Sequence, residues 1–241
     1  MPSDNGRQPV SSEISDNNAP YDKVLHALLV SEEAITATCA EYLKPNAPLT
    51  LAHFVGMGIA RRASALSSGF RSMVDQRNSL CALPIVRMQL DTALRLYAGF
   101  FVSDHQAFCN EIIQGKQIDR IKADDGEFMR DRYLVERIAK RNPWVTEVYK
   151  TTSGYIHFSF RHIQEAVRSG EEGAVQMIIG PHDFDREPKD YLEPMRCILH
   201  LNLIIEIALK DWLARMCNPN GVTISARELW SQDIQDDSDT E

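Results

Sequence analysis

The sequence predicts an all-α protein, a single helical bundle of about six to seven helices with one short extended segment near residues 174–180. Three observations carry this expectation. Apolar residues recur at three- and four-residue spacing through most of the chain, the period of one face of a helix. One such stretch, residues 80–102, is apolar almost all the way round, as a helix enclosed by neighbours must be. Only residues 175–179, a short apolar run between glycines, read as a strand, and no second run offers itself as a partner.

Residues 1–19 and 230–241 are rich in Ser, Asp, Asn and Gln and lack periodic apolar positions. They are expected to be disordered tails flanking a helical domain of residues 20–229. The first helix should run over residues 20–43, with Leu25, Leu28, Leu29, Ile35 and Tyr42 facing inward and Pro45 ending it. A second, over residues 50–77, carries Phe54, Met57, Ile59, Leu66, Phe70 and Met73. The third, residues 80–102, confines its charges to Arg87, Asp91 and Arg95, one stripe at i, i+4 and i+8, and should sit centrally.

Short helices are expected at residues 104–114 and 127–141, separated by the loop sequence GKQIDRIKADDG. A helix over residues 143–168 begins at Pro143, a residue suited to a first helical turn. After the break SGEEGAVQMIIGPHDFDREP, a last long helix covers residues 187–216 despite Pro194. No internal repeat and no heptad run long enough for a coiled coil is present.

Composition narrows the function classes. Of 241 residues 44% are hydrophobic and 25% charged, enough for a core that needs no metal or disulfide staple. Five scattered cysteines, with no CxxC pair, read as reduced thiols. The polar start has no apolar targeting run, and residues 197–209, the most apolar stretch, are broken by His200, Asn202 and Glu206 and are shorter than a membrane span of about 20 residues. A cytoplasmic protein with no membrane partner is expected. The net charge is -8, of which Asp233, Asp236, Asp237, Asp239 and Glu241 supply five, so nothing attracts nucleic acid generally, although a local basic face could still meet RNA. No Walker loop, GxGxxG, HExxH or EF-hand pattern occurs, and neither a cofactor nor a metal is implied.

The polar groups that could carry chemistry lie on two helices. On the 143–168 helix, Tyr149, Ser153 and His157 share a face with Ile156, Phe160, Ile163 and Val167, which reads as the buried face. Buried polar groups need partners, and the Arg87, Asp91 and Arg95 stripe could supply them, which would make a polar seam through the bundle. As a site, the seam would use its guanidinium groups to hold an anion, His157 as proton carrier and Ser153 or Tyr149 as hydroxyl. As structure, it would be a satisfied network that fixes helix register, and this is the preferred reading. Two further groups read as structural: His182, Asp183 and Asp185 as a turn and helix cap, and Asn202 with Glu206 as a buried hydrogen-bonded pair.

The segments LPIVRMQLDTALRLYAGF and VYKTTSGYIHFS, some fifty residues apart, together resemble the HEPN-like all-helical domains of bacterial and phage proteins, some linked to abortive infection. The resemblance covers about residues 80–165. It implies a helical fold in which a helix with an Arg and an acid packs on one bearing Tyr, Ser and His, and a setting in bacterial or phage defence. Many active HEPN ribonucleases carry an Arg, then a polar residue, with four to six residues between that Arg and a following His; no His here is preceded by an Arg at that distance, and Arg196 and His200 have three between them. The expected function is therefore a non-enzymatic helical interaction or regulatory module with a protein partner, and an oligomer is open. The alternative is a ribonuclease-like or other anion-processing enzyme using the seam.

Overall fold

The computed structural model describes residues 19–43, 48–169, 174–184 and 186–216. The two expected tails lie outside these residues except for Ala19, as do Pro45, Asp185 and Cys217. The chain is all-α: α1 (Ala19–Tyr42), α2 (Leu51–Asp75), α3 (Ser79–Ala98), α4 (His105–Ile113), α5 (Asp131–Ala139), α6 (Trp144–Ser153), α7 (Phe160–Ala166) and α8 (Leu192–Met216). Among the described residues no helix is long and apolar enough to cross a membrane.

The core is built by α1, α2, α3 and α8. Leu28 and Ile35 of α1, Phe70 of α2, Leu90 and Leu94 of α3, and Ile198, Leu201 and Ile205 of α8 are all essentially removed from solvent. Each such side chain contributes about 1.5–3 kcal/mol of burial free energy. Helix α3 also packs against α5 and α6, which makes it the central helix its sequence predicts.

Trp212 closes the far end of this core. Its indole Nε1 donates to the Ala52 carbonyl at 2.8 Å, so the one polar atom of the ring is satisfied. Gly56 and Gly99 lie against the ring, and a Cβ on Gly99 would overlap it. Only glycine lets the chain pass there.

A polar network crosses the same core. The Asn202 side chain, fully buried, donates to the hydroxyls of Ser31 at 2.9 Å and Ser67 at 3.0 Å and accepts from Gln89 Nε2 at 2.6 Å. Ser67 in turn donates to Glu32, which Arg71 grips with two hydrogen bonds of 2.8 Å. Four helices thus meet at one amide, and a shift of any of them by one residue would strand several buried polar groups. Glu206 is not part of this arrangement. It pairs with Lys210 on the outer side of α8, so the expected Asn202–Glu206 pair does not form.

The expected 143–168 helix is two helices, which accounts for the eighth helix. Helix α6 stops at Ser153 and Gly154 opens a turn that runs to Phe158. Ser159 then starts α7: its amide donates to His162 Nδ1 at 3.1 Å, and its hydroxyl reaches back to the Gly154 carbonyl at 2.7 Å. The Ser-x-x-His spacing is a capping box with His in the place usually held by Glu or Gln.

With the helix broken, the face read as buried is exposed. Ile156, Phe160 and Ile163 all lie at the surface. The extended segment does find a partner: β2 (Val175–Met177) pairs antiparallel with β1 (Val167–Ser169), Met177 opposite Val167. Residues 167 and 168 are expected at the end of a helix but belong to β1. The final helix begins five residues later than its sequence suggests, after a 3-10 turn at Pro188–Tyr191, and this places Pro194 in its first turn, where a missing N–H costs nothing.

Candidate functional site

Arg87, Asp91 and Arg95 project from one side of α3 towards α5, α2 and α6. Their chief partner is Asp131, the first residue of α5, which sequence reasoning did not single out. Arg87 Nη2 lies 2.6 Å from one Asp131 carboxylate oxygen, and Arg95 bonds the other. Arg95 also reaches Asp91 at 3.0 Å, and Asp91 is approached from α2 by Arg62 at 3.3 Å. The guanidinium of Arg87 stacks over the Tyr149 ring, 4.4 Å from its centre, a cation–π contact that ties α6 to the cluster.

Three arginines and two aspartates thus form one partly buried chain of ion pairs. Burial by itself would raise the Asp131 carboxyl pKa, but Arg95 and Arg87 together outweigh it and hold the group below the usual carboxylate range. Asp131 therefore remains ionised at any pH near neutrality.

The remaining candidates stand apart from this chain. The Ser153 hydroxyl donates to the carbonyl of Tyr149, one turn earlier in its own helix, at 2.5 Å, so it is held as a helix side chain and not aimed at the arginines. His157 lies exposed in the turn between α6 and α7, and no hydrogen bond, ion pair or ring contact joins it to Arg87, Arg95 or Asp131. The structure brings together Arg87, Asp91, Arg95 and Tyr149 and leaves Ser153 and His157 outside. The expected helix of residues 127–141 placed Asp131 inside it, whereas α5 starts at that residue, so nothing in the sequence marked it as the arginines' partner.

One side of the cluster opens on a cleft of about 440 Å3 where Arg62, Asp91 and Arg95 face Lys116 and Asp119. Asp119 Oδ1 is buried there with no hydrogen-bond partner among the described residues. Acids and bases alternate in this cleft. An anion would have to displace Asp91 or Asp131 to reach the paired faces of Arg87 and Arg95.

The loop expected to act as a cap does so. The Asp183 carboxylate accepts from the Ser79 amide at 2.9 Å and its hydroxyl at 2.7 Å, and also from the Tyr191 hydroxyl. His182 Nδ1 lies 2.8 Å from the Gln76 carbonyl oxygen. These contacts fasten the loop before α8 to the α2–α3 turn. Among the described residues no three His, Cys, Asp or Glu side chains converge as a metal site would require. Cys39, Cys81 and Cys197 are free thiols, and burial, with Glu193 nearby, pushes the Cys197 thiol up to about 11, which leaves it protonated and unreactive.

A second feature concerns surface and not charge. Among the described residues seven large apolar side chains are more than 60% exposed: Phe158, Phe160, Val175, Met177, Ile179, Phe184 and Ile207. The first six belong to the stretch formed by the α6–α7 turn, α7, the β1–β2 ribbon and the following loop. Arg186 pairs with Glu165 of α7 at 2.7 Å, so this stretch is anchored by polar contacts at its base while its apolar side chains face solvent.

Comparison with known proteins finds no relative: no protein-family model, no curated protein and no solved structure matches the chain.

Proposed function

We propose that the chain is a helical protein-interaction module whose recognition surface is the stretch of residues 156–184, and that its partner is a second copy of the chain. The observation that carries this reading is the concentration there of six of the seven most exposed large apolar side chains. Phe158, Phe160 and Phe184 alone expose on the order of 400 Å2, already the size of the largest apolar patch on a typical monomer. With Val175, Met177 and Ile179 the area approaches the ~800 Å2 that each partner contributes to a standard interface.

A second copy fits this surface because of what β2 lacks, the one charge of the ribbon being Arg168 on β1. Residues 174–180, AVQMIIG, carry no charge, and no third strand pairs with β1 or β2 among the described residues. Edge strands that must remain single usually bear a charge or a proline against pairing. Two such ribbons related by a two-fold axis would pair edge to edge and cover each other's apolar side chains. The HEPN-like resemblance is compatible with such a module, and a defence role remains a proposal resting on that resemblance alone.

The rival reading, an anion-processing enzyme, has less support. Its arginines are engaged by Asp91 and Asp131, and the Ser153 hydroxyl is bonded to its own helix.

The test is the mass in solution of the chain and of Met177→Lys. Met177 is exposed, so a charge there should leave the helical circular dichroism unchanged. The expected result is a dimer at about 10 μM for the unaltered chain and a monomer for the variant. An unaltered chain that stays monomeric up to about 100 μM would sink the reading.

A further inference from the structure

The seventh of these exposed apolar residues, Ile207, lies on α8 outside that stretch, in a groove of about 900 Å3 beside the last turns of α8. Its floor is apolar and aromatic, made by Tyr97, Phe100, Phe101 and Ile207. Its rim is basic: Arg137, Lys140, Arg141, Lys210 and Arg215 against the single acid Asp211. Some of this charge is already matched, because Arg137 bonds Asp125, Lys210 pairs with Glu206 and Arg215 with Asp211. Lys140 and Arg141 have no ion-pair partner among the described residues, and both are exposed. Arginines in a last helical turn are common for the helix dipole alone. Two unmatched cations at the lip of an aromatic groove are not explained by it.

The sequence that follows α8 has the complementary chemistry. Residues 217–241 contain one basic residue, Arg227, and six acids, Glu228, Asp233, Asp236, Asp237, Asp239 and Glu241. Among these acids stand three large apolar residues, Leu229, Trp230 and Ile234. The groove wall includes Ala214 and Arg215, in the turn where α8 ends at Met216. Thirteen residues lie between Met216 and Trp230. A connection of that length reaches up to about 45 Å when extended and about 20 Å as a coil, so the groove is within its range.

We infer that this groove is a docking site for the chain's own residues 228–236, with Trp230 and Ile234 on the aromatic floor and the flanking acids against Lys140 and Arg141. Attachment through α8 sets the effective concentration at the order of 1 mM, whereas a separate peptide would need that concentration in solution. If the isolated contact has a dissociation constant ten times below this value, about 90% of chains are docked. A groove so occupied is closed to other acidic, aromatic peptides, which makes residues 228–236 a competitor for any such ligand. This arrangement does not depend on the ribbon surface.

The experiment reads Trp230 in the full chain, carrying Met177→Lys so that ribbon-mediated pairing plays no part. Subtracting the fluorescence of Trp230→Phe isolates the Trp230 signal from Trp144 and Trp212. The expected signal is blue-shifted, its quenching by acrylamide is several-fold below that of free tryptophan, and 0.5 M sodium chloride restores much of the quenching. Ile207→Glu, at an exposed position that the fold tolerates, should expose Trp230, as should Lys140→Glu combined with Arg141→Glu. A thermal melt checks that each variant is folded. Free quenching of Trp230 in the parent chain overturns the inference. So does protection that survives Ile207→Glu in a folded variant. Protection that is lost on dilution overturns it too, because it places the segment on a second copy.

Discussion

In the core of α1, α2, α3 and α8, an asparagine, a glutamine and two serines are withdrawn from water and bonded to one another, while in the stretch of residues 156–184 phenylalanines, valine, methionine and isoleucine stand in it. The two regions invert the usual placement of polar and apolar groups, and they do so for different physical reasons. Buried amides and hydroxyls are tolerable when they find partners, as these do apart from Gln89 Oε1, and they then penalise any other register of the helices. Exposed aromatic side chains have no such internal justification. A surface of this kind is expected where another surface will cover it.

The largest effect that would sharpen this contrast comes from its centre. Asn202→Ala removes three hydrogen bonds and leaves Gln89, Ser31 and Ser67 buried with one partner fewer each. We expect a loss of about 3 kcal/mol in a denaturant titration, near the upper range for a single substitution. A loss below about 0.5 kcal/mol would mean that the network is incidental and packing alone sets the register. Met177→Lys, by contrast, should change the stability of the monomer by no more than about 0.5 kcal/mol while it abolishes pairing.

Between these extremes stands the arginine cluster. Asp131 holds both Arg87 and Arg95 and is only about a quarter exposed, so Asp131→Ala should cost on the order of 2 kcal/mol, between the small effect of a surface pair and the larger one of a buried pair. Asp91→Ala should cost less, because Arg95 keeps Asp131 and Arg62 is largely in water. The sequence drew attention to Asp91 and not to Asp131. Measuring both variants by thermal melts decides between them, and equal losses would show that the cluster acts as one unit rather than through a shared carboxylate.

How far the sequence could be read follows the same division. The bounds of α1, α2 and α3 and the central place of α3 were legible because each helix buries a long periodic face. The stripe at Arg87, Asp91 and Arg95 was legible by the same period. Its partner Asp131 was not, because the pairing of α3 with α5 is a tertiary fact and an acid within the expected 127–141 helix looks ordinary. The break after Ser153 was missed because Ile156, Phe160 and Ile163 continue the helical spacing across Gly154, and periodicity alone assigns them to a core they do not join. The Ser159-x-x-His162 capping box was the available signal. It is easily overlooked, since His rather than Glu takes the acceptor role.

That box occurs twice, once in each region, and the pair gives the smallest and most discriminating test. At the start of α2 the Thr50 amide donates to His53 Nδ1 at 3.0 Å, with both residues buried; at the start of α7 the Ser159 amide does the same to His162 in a half-exposed setting. An Nδ1 that accepts an N–H belongs to a neutral imidazole with its proton on Nε2. Burial lowers the His53 pKa from its ordinary value of about 6.5. Above that pH both the folded and unfolded chains carry a neutral His53. As the pH falls below it the unfolded chain takes up a proton that the folded chain resists, so stability declines until the lower folded pKa is passed. Melts between pH 7.5 and 5 should therefore fall more steeply for the unaltered chain than for His53→Asn. Thr50→Ala should cost about 1 kcal/mol of global stability, the usual loss of a helix cap. Ser159→Ala keeps the amide bond to His162 but removes the capping hydroxyl and its bond to the Gly154 carbonyl from a short helix with no buried residue. It should speed amide exchange across Phe160–Ala166 and leave global unfolding within about 0.5 kcal/mol, because such an element opens locally without the core. If Ser159→Ala instead lowered global stability as much as Thr50→Ala, the stretch would be part of the cooperative core, and its exposed side chains could no longer be treated as a surface separable from it.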